Sequence, residues 1–268
     1  MARFTLNDLR KARVAGRKTA VLTCYDYSMA RLMDEANVPV LLVGDSAASV
    51  ILGHPTTLPV SLDFMIEITA AVRRGAPNAL VMGDMPFGSY QASDELGAAN
   101  VFRMIQQSGC DMVKLEVSDG QIDLVKRLTD AGVAVVAHVG LRPQAIGLMG
   151  SYQSQGRTPA EADAIVALAL RMATAGAAAI LIEATPPEVA KAVITGCDVP
   201  VIGCGAGPDC HGSVIVTHDA IGLTSAIPKF VPKLGDLRLP MVAAFAEYVS
   251  RVSDGRYPAA EHFYAMKP

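Results

Sequence analysis

Tryptophan is absent from this chain of 268 residues, and aromatic residues make up only 5% of it. Cysteine occurs five times, as Cys24, Cys110, Cys197, Cys204 and Cys210, an odd number without a CxxC pair. That pattern leaves no basis for a disulfide framework, which a chain of this length does not need. Cys204, Cys210 and His211 share one loop but lack a fourth ligand, so a zinc site is not expected there. Charge of a single sign is also missing. Lys and Arg total 23 against 26 Asp and Glu, and neither collects in blocks, so no electrostatic footprint for nucleic acid or an anionic membrane exists. No apolar run is long enough to span a bilayer, and the opening Met-Ala-Arg-Phe-Thr-Leu-Asn has no apolar signal-peptide core. These absences point to a cytoplasmic protein whose partner is a small molecule.

What the chain has is apolar residues, 51% of the total, enough for one large core and a single domain over 1–268. Eight short aliphatic runs read as strands: Thr19–Cys24, Pro39–Val43, Ala79–Gly83, Met112–Glu116, Val133–His138, Ala178–Glu183, Val199–Gly203 and Val214–Thr217. Helical spacing falls between them, over Tyr27–Asn37, Leu62–Arg74, Ser93–Ser108, Gly120–Ala131, Pro159–Ala175 and Pro187–Thr195, and again over Leu239–Val252. Strands alternating with helices indicate βα units around a parallel sheet. The expected fold is α/β, a (β/α)8 barrel, with an open doubly wound sheet as the alternative. Leu6, Leu9 and Val14 within Thr5–Val14 suit a helix capping the barrel floor.

In such a barrel the loops after the strands build the site. The second run delivers Asp45 and Ser46, the third Asp84; the fourth carries Lys114 and Glu116, the fifth ends at His138 and the sixth at Glu183. Each has a structural explanation: Asp45 and Asp84 as helix caps or turn formers, Lys114 and Glu116 as an ion pair, His138 as a hydrogen-bonded core histidine, Glu183 at a helix start. Together they form a pattern, because two adjacent units ending in Gly-Asp aim two carboxylates at one point. Hard oxygen ligands of that kind suit Mg²⁺. Lys114 would then bind a substrate carboxylate, Glu116 would stand near the metal, and Glu183 on its apolar strand would act as general base. A metal-chelated 2-oxo acid losing its C3 proton to such a base gives an enolate. The stretch Gly203-Cys204-Gly205-Ala206-Gly207 offers either a backbone anion cradle or a tight turn. His54 and His218 are taken as structural.

Over nearly its whole length the sequence resembles the ketopantoate hydroxymethyltransferases. The resemblance is carried by Val43-Gly44-Asp45-Ser46, Arg73-Arg74-Gly75-Ala76-Pro77-Asn78, Gly83-Asp84-Met85-Pro86-Phe87, Met112-Val113-Lys114-Leu115-Glu116, His138-Val139-Gly140-Leu141-Arg142-Pro143-Gln144 and Val201-Ile202-Gly203-Cys204-Gly205-Ala206-Gly207. It implies an Mg²⁺-dependent enzyme that transfers a one-carbon unit from 5,10-methylenetetrahydrofolate to 3-methyl-2-oxobutanoate, giving 2-dehydropantoate in pantothenate biosynthesis. It also implies Asp45, Asp84 and Glu116 as metal residues and Ser46 and Lys114 as contacts to the 2-oxo acid; Asp45, Asp84 and His138 are further candidate substrate contacts. Glu183 is implied as proton acceptor, and the assembly as a homodecamer. The chain departs from the family pattern at 47–49, 151–154 and 211–213, in loops where a different 2-oxo acid or one-carbon donor would leave its mark. An Mg²⁺-dependent aldolase or lyase on another 2-oxo acid, of the phosphoenolpyruvate mutase and isocitrate lyase kind, is the second reading.

Overall fold

The computed structural model describes residues 2–225 and 227–267, and the chain divides into two units, Met1–Thr217 and His218–Pro268. The first unit opens with α1 (Leu6–Val14). There follow β1 (Thr19–Thr23), α2 (Tyr27–Glu35), β2 (Val40–Val43), α3 (Ala47–Val50), α4 (Leu62–Gly75), β3 (Leu80–Asp84) and α5 (Asp94–Ser108). The second half continues with β4 (Met112–Glu116), α6 (Ile122–Asp130), β5 (Val135–Gly140), α7 (Ile146–Met149) and α8 (Pro159–Thr174). It ends with β6 (Ala179–Glu183), α9 (Pro187–Gly196), β7 (Val201–Cys204) and β8 (Gly212–Ile215). Every strand pairs in parallel with the next, and β8 closes on β1. The sheet is therefore a barrel, and the open alternative is excluded.

Local chemistry starts the helices where the sequence places them. Thr5 and Asp8 form a capping box on α1, as Thr158 and Glu161 do on α8, where Pro159 occupies the first turn. Asp26, Ser61 and Ser93 cap α2, α4 and α5. Each satisfies a backbone N–H that the first turn leaves without a partner.

Two apolar clusters follow from the period of the strands. Val81, Val113, Leu115, Val135, Ala137, Ile180 and Ile182 point outward to the helices. Val21, Val40, Leu80, Met82, Met112, Val136, Ala179, Leu181 and Ile202 fill the barrel together with Leu9 from α1. Leu9 is 1% exposed, so α1 does cap the floor, and burying a side chain of that size contributes roughly 1.5–3 kcal/mol.

The strand limits differ from the expected ones in two informative places. β8 begins earlier, at Gly212, where a Cβ would lie only 2.5 Å from the Thr19 carbonyl oxygen. It ends before Thr217, whose N–H donates to Thr23 Oγ1 at 2.9 Å and whose hydroxyl donates to the Thr23 carbonyl at 2.6 Å. β3 extends through Asp84, which puts that carboxylate on the strand itself. The short α3 and α7 were not foreseen, since four residues show no helical period.

Between the units α10 (Thr217–Ala220) crosses the boundary, and the second unit by itself is built on α11 (Arg238–Ser253). There the N–H of Leu234 donates to Ala220 and that of Leu237 to Ile221, both at 2.8 Å. Among the described residues no helix is long and apolar enough to cross a membrane.

Candidate active site

Successive side chains on a strand face opposite sides, so residues two apart share a face. β3 turns Leu80 and Met82 into the barrel, and the next member of that series is Asp84. On β4 Met112 is followed inward by Lys114 and Glu116, on β5 Val136 by His138, and on β6 Ala179 and Leu181 by Glu183. Each strand is thus apolar at the floor and ionisable at the carboxyl rim. The ladder places Asp84 beside Lys114, Glu116 beside His138, and Gly140 beside Glu183.

Asp45 follows β2, and its backbone N–H donates to Asp84 Oδ2 at 2.9 Å. The other oxygen of Asp84 lies 2.8 Å from Lys114 Nζ. His138 Nδ1 stands 3.4 Å from the same ammonium, and His138 Nε2 stands 3.3 Å from Glu183 Oε2. Asp45, Asp84, Lys114, Glu116 and His138 are all buried. The Glu183 side chain is 20% exposed, which leaves its carboxylate reachable from the mouth.

Burial disfavours every charge in this cluster, and the neighbours decide which survive. Desolvation opposes the Lys114 ammonium, but Asp84, Asp45 and Glu116 outweigh it and hold its pKa above the ordinary value. Desolvation pushes Asp84 up to about 7, with Lys114 opposing and Asp45 adding. Glu116 is likewise raised, first by burial and then by Asp45 and Asp84 against the pull of Lys114. His138 is lowered by burial and by Lys114, with Glu183 acting the other way. The cluster is therefore rich in carboxylate and short of positive charge in the protein alone.

Such a donor set fits a hard divalent cation. All the candidate ligands are oxygens, and Glu116 Oε1 is buried without a hydrogen-bond partner among the described residues. Among those residues no three His, Cys, Asp or Glu side chains are grouped tightly enough to hold an ion by themselves. Mg²⁺ is commonly bound through one or two carboxylates and completes its shell with water or substrate oxygens.

Ser46 Oγ is 2.8 Å from Tyr25 Oη, which fixes the hydroxyl where α3 begins. Sequence reasoning missed the group that ties the rim together. Gln144 donates from Nε2 to Asp45 Oδ2 and to the Met85 carbonyl, both at 2.9 Å. Its backbone N–H donates to Glu116 Oε2 at 3.0 Å. Tyr90 Oη lies 2.9 Å from Gln144 Oε1 and accepts the Glu116 N–H at 3.0 Å. Gln144 closes the family-like stretch from His138 but carries no expected role there, and nothing marks Tyr90, because an amide and a phenol in loops read as surface groups. A cavity of about 370 Å³ opens beside them, bordered by Phe87, Tyr90, Glu116, Arg142, Gln144 and Leu148.

Two glycines are required by close approach. Gly140, at φ 88°, would carry a Cβ only 2.4 Å from the Glu183 carbonyl. Gly207, at φ 89°, would carry one 2.7 Å from Pro187, so packing alone accounts for this part of the Gly203 to Gly207 segment. His211 Nδ1 accepts the Val201 N–H at 3.0 Å, a structural use of that ring. Ala184, which follows Glu183, takes φ 48°, a conformation that costs a non-glycine residue about 1–2 kcal/mol.

A closed eight-stranded barrel with ionisable side chains gathered at its carboxyl rim is the build of a (β/α)8-barrel enzyme. Comparison with known proteins narrows this. Residues 3–260 match the family described as ketopantoate hydroxymethyltransferase, and the chain belongs to that family. It is 42% identical over 264 residues to a 3-methyl-2-oxobutanoate hydroxymethyltransferase from Frankia alni, covering 98% of this chain and 87% of that one. It is 40% identical over 265 residues to the Heliobacterium modesticaldum protein of the same name, covering 98% and 96%. Among solved structures, a phosphonopyruvate hydrolase in complex with oxalate and Mg++ shares the fold at a TM-score of 0.62 and 16% identity, covering 98% of this chain and 92% of that one.

Proposed function

We propose that this chain is a 3-methyl-2-oxobutanoate hydroxymethyltransferase, using residues 1–268 as one catalytic domain and 5,10-methylenetetrahydrofolate as one-carbon donor. The observation that carries the reading is the inward series Asp84, Lys114, Glu116, His138 and Glu183 at one rim, in a chain of this family. Asp45 and Asp84 would hold Mg²⁺, with Glu116 beside it, and the cation would supply Lewis-acid polarisation of the 2-oxo group.

The residues themselves do the rest. The Lys114 ammonium and the Ser46 hydroxyl bind and orient the 2-oxo acid. Glu183 removes the C3 proton, and the neutral imidazole of His138 lies beside its carboxylate, Nε2 being 3.3 Å from Oε2. Water opens the methylene bridge of the folate donor, breaking both of its C–N bonds to give tetrahydrofolate and a one-carbon unit at the oxidation level of formaldehyde. C3 then forms a bond to that carbon, whose oxygen takes up the proton that Glu183 removed, and 2-dehydropantoate is the product. The proposed setting is cytoplasmic, and the proposed assembly is the homodecamer that family membership supports.

The test is to incubate the purified protein with Mg²⁺, 3-methyl-2-oxobutanoate and methylenetetrahydrofolate. Formation of 2-dehydropantoate above a Glu183→Gln control supports the reading. Deuterium exchange at C3 of another 2-oxo acid, with none in 3-methyl-2-oxobutanoate, would assign the site to a different substrate.

A further inference from the structure

We infer that Gln144 is a positioning residue for the cation site, and that it selects which oxygens of Asp45 and Glu116 face the metal. The inference rests on the reading of that rim as a metal site. Gln144 reaches both carboxylates by different atoms, its side-chain Nε2 donating to Asp45 Oδ2 at 2.9 Å and its backbone N–H to Glu116 Oε2 at 3.0 Å. Each carboxylate has one oxygen turned to the protein in this way, so coordination falls to Asp45 Oδ1 and Glu116 Oε1. The latter is the buried oxygen without a hydrogen-bond partner.

The amide is held on every side. Its second Nε2 proton goes to the Met85 carbonyl at 2.9 Å, and Met85 directly follows Asp84. Its oxygen accepts from Gln91 Nε2 at 3.0 Å and faces Tyr90 Oη at 2.9 Å. These partners also fix the amide's orientation, since a rotated amide would set Nε2 against Gln91 Nε2 and Oε1 against the Asp45 and Met85 oxygens. Tyr90 adds a second tie, because its hydroxyl accepts the N–H of Glu116 at 3.0 Å. Gln144 is 6% exposed, so water cannot replace these bonds freely. Residues that orient a metal's ligands from outside typically change metal affinity by about 10–100-fold when removed.

The experiment titrates Mn²⁺ alone into wild type, Gln144→Met and Tyr90→Phe, reading bound metal by electron paramagnetic resonance, with a thermal melt of each protein. Wild type that binds no Mn²⁺ removes the metal-site reading itself. With wild type binding, Gln144→Met is expected to weaken Mn²⁺ by about 10–100-fold, and Tyr90→Phe by less because Gln91 still holds the amide oxygen. Unchanged Mn²⁺ affinity in a folded Gln144→Met protein overturns the inference, and so does a lowered melting temperature with no change in metal affinity. Should Gln144→Met fail to fold, Tyr90→Phe decides alone: an affinity equal to wild type overturns the inference, and a weaker one supports it.

Discussion

His138 Nε2 lies 3.3 Å from Glu183 Oε2, while Nδ1 of the same ring lies 3.4 Å from Lys114 Nζ. An ammonium can only donate, so Nδ1 accepts and the ring proton resides on Nε2, beside Glu183. This neutral tautomer, assigned from its neighbours, links the residue proposed to bind the acid with the residue proposed to take its proton. Protonation of the ring would put a second donor against Lys114.

The first consequence concerns Glu183. Its carboxylate is the reachable member of the cluster, and Glu183→Gln keeps its size while removing the base. General-base catalysis is worth about 10²–10⁴-fold, so C3 deuterium exchange of 3-methyl-2-oxobutanoate, followed by proton NMR, should slow by that factor. Binding of the acid should persist, because Lys114 and Ser46 are intact. Exchange at the wild-type rate would remove Glu183 from the mechanism.

The histidine carries a prediction about pH. Burial and Lys114 hold its folded pKa below the ordinary value, with Glu183 opposing, whereas the unfolded chain takes up a proton near pH ~6.5. A group with a depressed folded pKa that is charged when protonated contributes stability above the unfolded value. It loses that stability as pH falls from about 6.5 toward the folded pKa, at up to about 1.4 kcal/mol per pH unit. Urea unfolding at pH 7.5 and 5.5 should therefore show a larger acid loss in wild type than in His138→Gln. Equal losses in the two proteins would contradict the assignment of a neutral, buried ring.

Much of this was legible beforehand, and the reason is the strand period. Alternation along β4 puts Met112, Lys114 and Glu116 on one face, and the same count on β3, β5 and β6 ends at Asp84, His138 and Glu183. A reader needs only the strand ends to gather five side chains at one rim. Closure of the barrel was not legible, because nothing in a strand states which partner lies beyond its neighbour. Gln144 and Tyr90 escaped for a different reason. They sit in loops without a period, and their value comes from bonds to Asp45 and Glu116, residues distant in sequence whose approach only the fold creates.

Gly140 tests how tightly Glu183 is held. Its φ of 88° is left-handed, and a Cβ would lie 2.4 Å from the Glu183 carbonyl and 2.9 Å from Thr185 Cγ2. Gly16 has a similar φ of 65° with nothing within 4 Å of its Cβ position. Gly16→Ala should cost the left-handed penalty alone, about 1–2 kcal/mol. Gly140→Ala adds an overpacking cost of about 1–3 kcal/mol and should displace Glu183, lowering activity as well. Denaturant midpoints at constant slope measure the first effect and turnover the second. Equal midpoints for the two variants would show that the strand accommodates the methyl group.

Lys114 offers the sharpest separation of charge from shape. Lys114→Met keeps the unbranched side chain up to Cε and removes the ammonium paired with Asp84, 2.8 Å away. Asp45, Asp84 and Glu116 then remain buried together without it. Breaking a buried pair by deleting one partner typically costs about 3–5 kcal/mol, so the variant should melt well below wild type in chelator-treated buffer. Mg²⁺ should recover more stability in Lys114→Met than in wild type, because its charge offsets carboxylates that the ammonium no longer neutralises. Affinity for the 2-oxo acid should fall even at saturating Mg²⁺, since the lost ammonium also binds substrate. Melting curves with and without Mg²⁺, read beside the KM for the acid, distinguish these effects. A variant as stable as wild type without cation would mean that the carboxylates meet their charge by taking up protons instead, which the raised positions of Asp84 and Glu116 permit.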